Sequence, residues 1–197
     1  ESLIKAGSFD SMHYYRSQLL KIVNPVVDAI AQNRKKNIEG QMDLFGMGND
    51  EVRDTQIAMP NIPEVPKREL LAMEKETTGL YLSGHPMDAY RELARQLGAA
   101  PISRILEDFA QETGPTSFAD GQKLSIAGVV TSSKVKTTRS NTLMAYVTVE
   151  DSTGAMEMLC FARTLETSGS YLKEGQTILA SGRLSVRDEK APQLMCD

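Results

Sequence analysis

Between residues 123 and 196 the chain alternates apolar and polar side chains in five short runs, and this constrains the fold more than any other feature. Residues 123–130 place Leu124, Ile126 and Val130 on one face. Residues 143–149 place Leu143, Ala145, Val147 and Val149 on one face and Met144, Tyr146 and Thr148 on the other. After the turn Asp151-Ser152-Thr153-Gly154 come a third run over 156–161, a helix-permissive piece over 162–172 and a turn at Lys173-Glu174-Gly175. Runs at 177–186 and 193–196 complete the set. Successive side chains of a strand point to opposite faces, so period-two alternation bounded by Gly, Asp and Ser predicts half-buried strands.

Three strands, a short helix and two further strands is the order of an OB-fold, a small Greek-key barrel that often binds single-stranded nucleic acid or oligosaccharide. The predicted class is α+β: an N-terminal helical segment and linker followed by a five-stranded OB-fold Greek-key barrel. With 197 residues there is room for one such domain and helical attachments. Hydrophobic content of 41% and charged content of 24% argue against wholesale disorder. The net charge of −4 excludes a generally basic nucleic-acid binder. The middle of the chain is acid-rich (Glu64, Glu69, Glu74, Glu76, Glu92, Glu107, Asp108), whereas Lys134, Lys136 and Arg139 stand together with no acid between them. Any contact with nucleic acid is therefore expected to be local. Cys160 and Cys196 lack metal-ligand spacing and read as small buried apolar residues in a reducing compartment. No apolar run approaches the roughly 18 residues of a membrane helix, so no membrane contact is expected. The chain opens on Glu1, inside what reads as the end of a helix, and is expected to be part of something larger.

Upstream of the strands the pattern is helical. Residues 1–6 read as a helix tail stopped by Gly7. Leu19, Leu20, Val23, Val26, Val27 and Ile30 recur at helical spacing, but Asn24-Pro25 interrupts them, predicting two abutting helices or one kinked helix. The basic Arg34-Lys35-Lys36 suits a solvated helix C-terminus. Gly40 and Gly46 flank Gln41-Met42-Asp43-Leu44-Phe45, followed by a loop-like stretch with Pro60, Pro63 and Pro66. Leu44 and Phe45 either pack back onto the preceding helix or dock as a short linear motif into a partner's apolar groove. Residues 66–78 and 87–97 predict further helices, the second with Met87, Tyr90, Leu93, Ala94 and Leu97 on one stripe, and 102–109 a short one. His85 and His13 lack a catalytic neighbour at a useful spacing and read as packing or capping residues. Phe161 shares a face with Leu159 and is expected in the core.

Glu74-Lys75-Glu76 followed by Gly79-Leu80-Tyr81-Leu82-Ser83-Gly84-His85-Pro86 resembles the segment preceding the OB domain in the alpha (catalytic) subunit of bacterial DNA polymerase III. Leu3-Ile4-Lys5-Ala6-Gly7-Ser8-Phe9-Asp10 is similar to the end of that family's helix-hairpin-helix region, and Met144-Ala145-Tyr146-Val147-Thr148-Val149-Glu150-Asp151 to its OB domain. The resemblance implies four parts: 1–39, the helical end of the helix-hairpin-helix region; 40–65, a linker; 66–120, a helical connector; and 121–197, the OB-fold domain. It also implies that Gln41, Met42, Asp43, Leu44 and Phe45 form the family's motif for the sliding clamp (beta subunit), with Gln41 in a polar subsite and Leu44 and Phe45 in the hydrophobic pocket. Asn24-Pro25 departs from the continuous helix expected of the family. The parent enzyme is a DNA-directed DNA polymerase, a nucleotidyltransferase using metal-binding carboxylates and Mg. No matching constellation occurs here, so no catalytic, metal or cofactor residue is assigned, and Glu150-Asp151 reads as strand-end and turn chemistry.

Sequence-tolerant single-strand binding needs cations along the backbone path and flat side chains for stacking. On an OB-fold these lie on strands two and three and in the loops joining strands one to two and four to five. The candidates are Lys134, Lys136 and Arg139 in a loop over 132–141, Tyr146 on strand two, Arg183 on strand four and Arg187 at the start of the last loop. The expected function is the non-catalytic clamp- and DNA-binding part of a replicative polymerase subunit, in the bacterial cytoplasm at the nucleoid, alongside other replisome subunits. The alternatives are a protein-docking module that does not touch DNA, and an anticodon-binding OB domain of an aminoacyl-tRNA synthetase.

Overall fold

The computed structural model describes residues 1–39, 57–111, 114–138, 140–187 and 191–196. The motif Gln41, Met42, Asp43, Leu44, Phe45 lies outside the described residues, as does Arg139. The chain divides into two compact units, Glu1–Ser83 and Gly84–Asp197.

In the first unit, α1 (Ser2–Lys5), a 3-10 turn (Asp10–Met12), α2 (Arg16–Glu39) and α3 (Lys67–Thr78) gather around polar groups more than around a core. Pro25 lies inside α2, which runs through as one helix, and Asn24 is helical and caps nothing. Proline at this position removes one backbone hydrogen bond, but the chain continues helically on both sides of it. The start of α2 is held by Glu64, whose carboxylate accepts from the backbone N–H of Arg16 (2.7 Å) and Ser17 (3.1 Å). The Arg16 guanidinium, only 4% exposed, donates to both Asp10 oxygens (2.9 and 2.6 Å), to the Lys5 carbonyl (3.0 Å) and to Glu74 Oε1 (2.9 Å). Glu74 is fully buried. Its other oxygen accepts from the N–H groups of Leu82 (2.8 Å) and Ser83 (2.9 Å), fixing the chain after Gly79, which ends α3 at φ 79°. Burial alone would raise the Glu74 pKa, but these donors hold it at about 2.

In the second unit, His85 caps a 3-10 turn (Pro86–Tyr90): its Nδ1 accepts from Met87 N–H, while its own N–H donates to Asp88. The expected helix over 87–97 forms only as this turn plus α4 (Arg91–Gln96). Its apolar stripe is buried at Met87 only and partly at Ala94: Tyr90, Leu93 and Leu97 are each about half exposed. α5 (Ile102–Phe109) sends the fully buried Ile102 and Ile105 into the barrel core. Asp108, at its end, accepts from the N–H groups of Thr116, Ser117 and Phe118. Burial pushes its pKa up, and those amides outweigh burial and bring it to about 2.

The barrel comprises β1 (Lys123–Thr137), β2 (Leu143–Glu150), β3 (Ala155–Phe161), β4 (Thr177–Ser185) and β5 (Gln193–Cys196), with α6 (Ala162–Ser168) between β3 and β4. It closes in the order β1-β2-β3-β5-β4. All pairings are antiparallel except β3 with β5. β1 is long enough to pair with β4 through its first half and β2 through its second, with a bulge between Val130 and Ser132 where it bends. Inside lie Ile126, Val130, Ala145, Val147, Val149, Met156, Met158, Ala180, Leu184 and Leu194. Gly182 allows closure: a Cβ there would collide with the backbone carbonyl of Met195 on β5. Helical segment, five strands and closed barrel agree with the fold class read from the sequence.

Candidate nucleic-acid interface

β2 alternates strictly: Ala145, Val147 and Val149 are fully buried, while Met144, Tyr146 and Thr148 lie half-buried on the outer wall. Register then carries that wall around the barrel. Tyr146 stands opposite Lys134 of β1 and Leu159 of β3; Leu159 opposite Met195 of β5; Met195 opposite Arg183 of β4. One row thus reads Lys134, Tyr146, Leu159, Met195, Arg183. The adjoining row reads Lys136, Met144, Phe161. Cations stand at both ends of the first row, with aromatic and apolar side chains between them.

Two sequence expectations change here. Lys134 and Lys136 do not sit in a loop, because β1 continues to Thr137 and its Lys134-Val135-Lys136 alternation pairs in register with β2. Both ammonium groups are therefore carried on a paired strand. The Lys136 Nζ lies 5.0 Å from the centre of the Tyr146 ring, within cation–π range. Phe161, expected in the core, is 41% exposed at the end of β3. It does share a face with Leu159, but that face is the outer one: Met156, Met158 and Cys160 take the interior positions. Glu157 has the same parity as Leu159 and Phe161, and that charged residue is the signal in the sequence that marks the face as outward. Leu159 is buried without joining the interior cluster.

Arg183 lies on β4 and Arg187 is exposed just beyond it, where the loop to β5 begins. Glu157 and Gln193 meet through a side-chain hydrogen bond on the same wall, near that loop. The structure thus brings Lys134, Lys136, Tyr146 and Arg183 onto one wall, and adds Phe161, Met144 and Met195.

The carboxylates nearest the barrel are already used by the fold. Asp151 accepts from Thr153 and Gly154 N–H (2.7 and 2.8 Å) through one oxygen and from Ile102 N–H (3.0 Å) through the other, tying the β2–β3 turn to the start of α5. Among the described residues no group of three or more His, Cys, Asp or Glu is placed to hold a metal ion. The described side chains do not fit the carboxylate set that two-metal nucleotidyl transfer requires. No described helix is long and apolar enough to cross a membrane.

Residues 124–197 match the family model of the OB-fold nucleic acid binding domain. DNA polymerase III subunit alpha of Haemophilus influenzae is 32% identical over 189 residues, covering 95% of this chain and 15% of that protein. The Vibrio cholerae protein of the same name is 31% identical over 188 residues with the same coverage, and that of Escherichia coli K12 28% over 189. Among solved structures, the SSB domain of a Synechococcus protein is 18% identical, with a TM-score of 0.34 over 42% of this chain and 94% of that one. The chain spans about 15% of the length of its polymerase relatives. It is homologous over 95% of its own length to a segment of DNA polymerase III subunit alpha, and its residues 124–197 form an OB-fold domain.

Proposed function

We propose that the outer wall running from β1 through β2, β3 and β5 to Arg183 of β4 binds single-stranded DNA, as part of a polymerase III alpha subunit working in chromosomal replication. The observation that carries this reading is the row Lys134, Tyr146, Leu159, Met195, Arg183. Phosphates run along the cationic ends, while bases stack on Tyr146 and, in the next row, Phe161. Lys136 occupies one face of Tyr146. A base arriving on that face releases the ammonium to a neighbouring phosphate, exchanging a cation–π contact for a charge pair. Lys134, Lys136, Arg183 and Arg187 displacing one counterion each give a log–log salt slope of about −3. Four cations and two aromatics make a weak binder when isolated. The clamp contact proposed for Gln41, Met42, Asp43, Leu44 and Phe45 raises the local concentration of DNA. This places the chain at the nucleoid, in the bacterial cytoplasm, among other replisome subunits.

A second reading has an observation of its own. Tyr90, Leu93, Leu97 and Leu179 line an exposed apolar groove of about 180 Å³ with Ala127 and Ile178. Such a surface suits protein docking without DNA. Fluorescence anisotropy with a short oligothymidylate separates the two readings. Lys134→Glu with Lys136→Glu is expected to weaken binding at least tenfold at low salt and to flatten the slope by about 1.4. Unchanged binding moves DNA off this wall, and no binding by the wild type at low salt favours docking alone. Loss of clamp binding on Leu44→Ala/Phe45→Ala tests the motif separately; equal affinity removes it from the account.

A further inference from the structure

The two cysteines are far apart in sequence but are register partners across the parallel β3–β5 ladder, Cys160 opposite Cys196. Both are buried and belong to the interior cluster. Adjacent strands run about 4.8 Å apart, inside the roughly 4.4–6.8 Å Cα separation that a disulfide spans. Partners in a parallel ladder point to the same side, so the two sulfurs share one surface of the barrel interior. That surface is not sealed. Cys160 and Cys196 both line a cavity of about 420 Å³ whose other walls include Met158, Thr164, Leu172 and the 66%-exposed Tyr171. A molecule the size of a peroxide has room there.

We infer that Cys160 and Cys196 form an oxidant-sensitive site that closes to an intramolecular disulfide with hydrogen peroxide entering through this cavity. The Cys160 thiolate attacks the O–O bond, forming a sulfenic acid, and the departing hydroxide leaves as water after taking a proton. The Cys196 sulfur then displaces the sulfenic hydroxyl, forming the S–S bond and releasing a second water. Two thiols and one peroxide thus give one disulfide and two waters, with peroxide as the two-electron oxidant. Cys160 is suited to the first step: its hydrogen bond with Cys196 lowers the thiol pKa, against the opposing effect of burial. The product staples β5 to β3, a junction otherwise made of three register pairs (Met158 with Leu194, Leu159 with Met195, Cys160 with Cys196). Met195, on the candidate interface, belongs to the stapled strand, and Arg183 stands opposite it on β4.

Graded hydrogen peroxide followed by intact-mass and peptide analysis under non-reducing conditions tests this. The expected result is the joint loss of both thiols with a mass lower by two hydrogens, a Cys160–Cys196 linked peptide, and full reversal by dithiothreitol. This should precede sulfoxide formation at the 55%-exposed Met12, which serves as an internal clock. Cys196→Ser should stop at the Cys160 sulfenic acid, trapped by dimedone. The inference is overturned if Met12 oxidises while both thiols persist, or if either thiol proceeds to sulfinic acid with the other intact. The wild-type measurement decides this even if the variant does not fold.

Discussion

The two units of this chain are held together by different forces. Among the described residues of Glu1–Ser83, the buried apolar side chains are Ile4 and Leu71, while Arg16 and Glu74 are buried as an ion pair beside them. In Gly84–Asp197 the interior is a continuous apolar cluster from Ile102 to Cys196, with Asp108 as its buried charge. A helical unit with little apolar area to bury relies on a charge pair saturated with backbone N–H donors. A closed barrel does not need one. The difference teaches where each unit is vulnerable: the first to loss of one carboxylate, the second to loss of volume or to a Cβ at Gly182.

The sharpest way to break this comparison is Glu74→Ala. Removing Glu74 leaves the buried Arg16 with Asp10 as its remaining carboxylate and costs about 3 kcal/mol, the low end for breaking a buried pair; it also frees the Leu82 and Ser83 amides. Amide exchange should rise through α3 with little change in β2. Equal loss of protection in β2 contradicts the division. Acid should act on the same group. The Glu74 pKa falls from an ordinary 4.5 to about 2 in the folded unit. Its contribution is therefore fully present above pH 4.5, declines as pH drops toward 2, and amounts to up to about 3 kcal/mol. Asp108 is held low in the same direction and adds an acid-sensitive loop at 116–118 to the second unit. Amide protection in α3 should be lost before that in β2 as pH falls from 4.5 to 2; simultaneous loss goes against the account.

Smaller effects sharpen the account of the wall. Tyr146→Ala should weaken oligothymidylate binding by about 1–3 kcal/mol, the range for one stacked base. Phe161→Ala should cost less, since Phe161 sits at the end of its strand. Neither change should alter stability much, because both side chains lie outside the interior cluster. A titration in which Phe161→Ala costs more than Tyr146→Ala reverses the order of the two platforms.

Much of the barrel was legible in the sequence because alternation and turn chemistry act locally. Ala145, Val147 and Val149 announce β2 whatever surrounds them. Contacts that join distant residues were not legible. Glu74 reads as one more acid in a solvated stretch until Arg16, 58 positions away, is brought beside it. Lys134 and Lys136 read as loop charges, since a Lys-Val-Lys triplet is as compatible with a loop as with an edge of β1, and only pairing with Met144 and Tyr146 decides between them. Phe161 shares its face with Leu159, and Glu157 is the one local sign that this face points outward, a sign outweighed by two large apolar neighbours until β5 pairs there. Pro25 is the converse case: a strong local signal for a break, at which one helix nonetheless continues, so the single-helix alternative holds and two abutting helices do not.

The central claim is that a single strand lies across the outer wall of β2 and β3. Ultraviolet crosslinking of an oligothymidylate to the whole chain, with the attached peptides identified by mass spectrometry, tests it most directly. The account predicts crosslinks at Tyr146 and Phe161 that disappear as salt is raised. Crosslinks confined to Tyr90 or Tyr171, away from that wall, would contradict it.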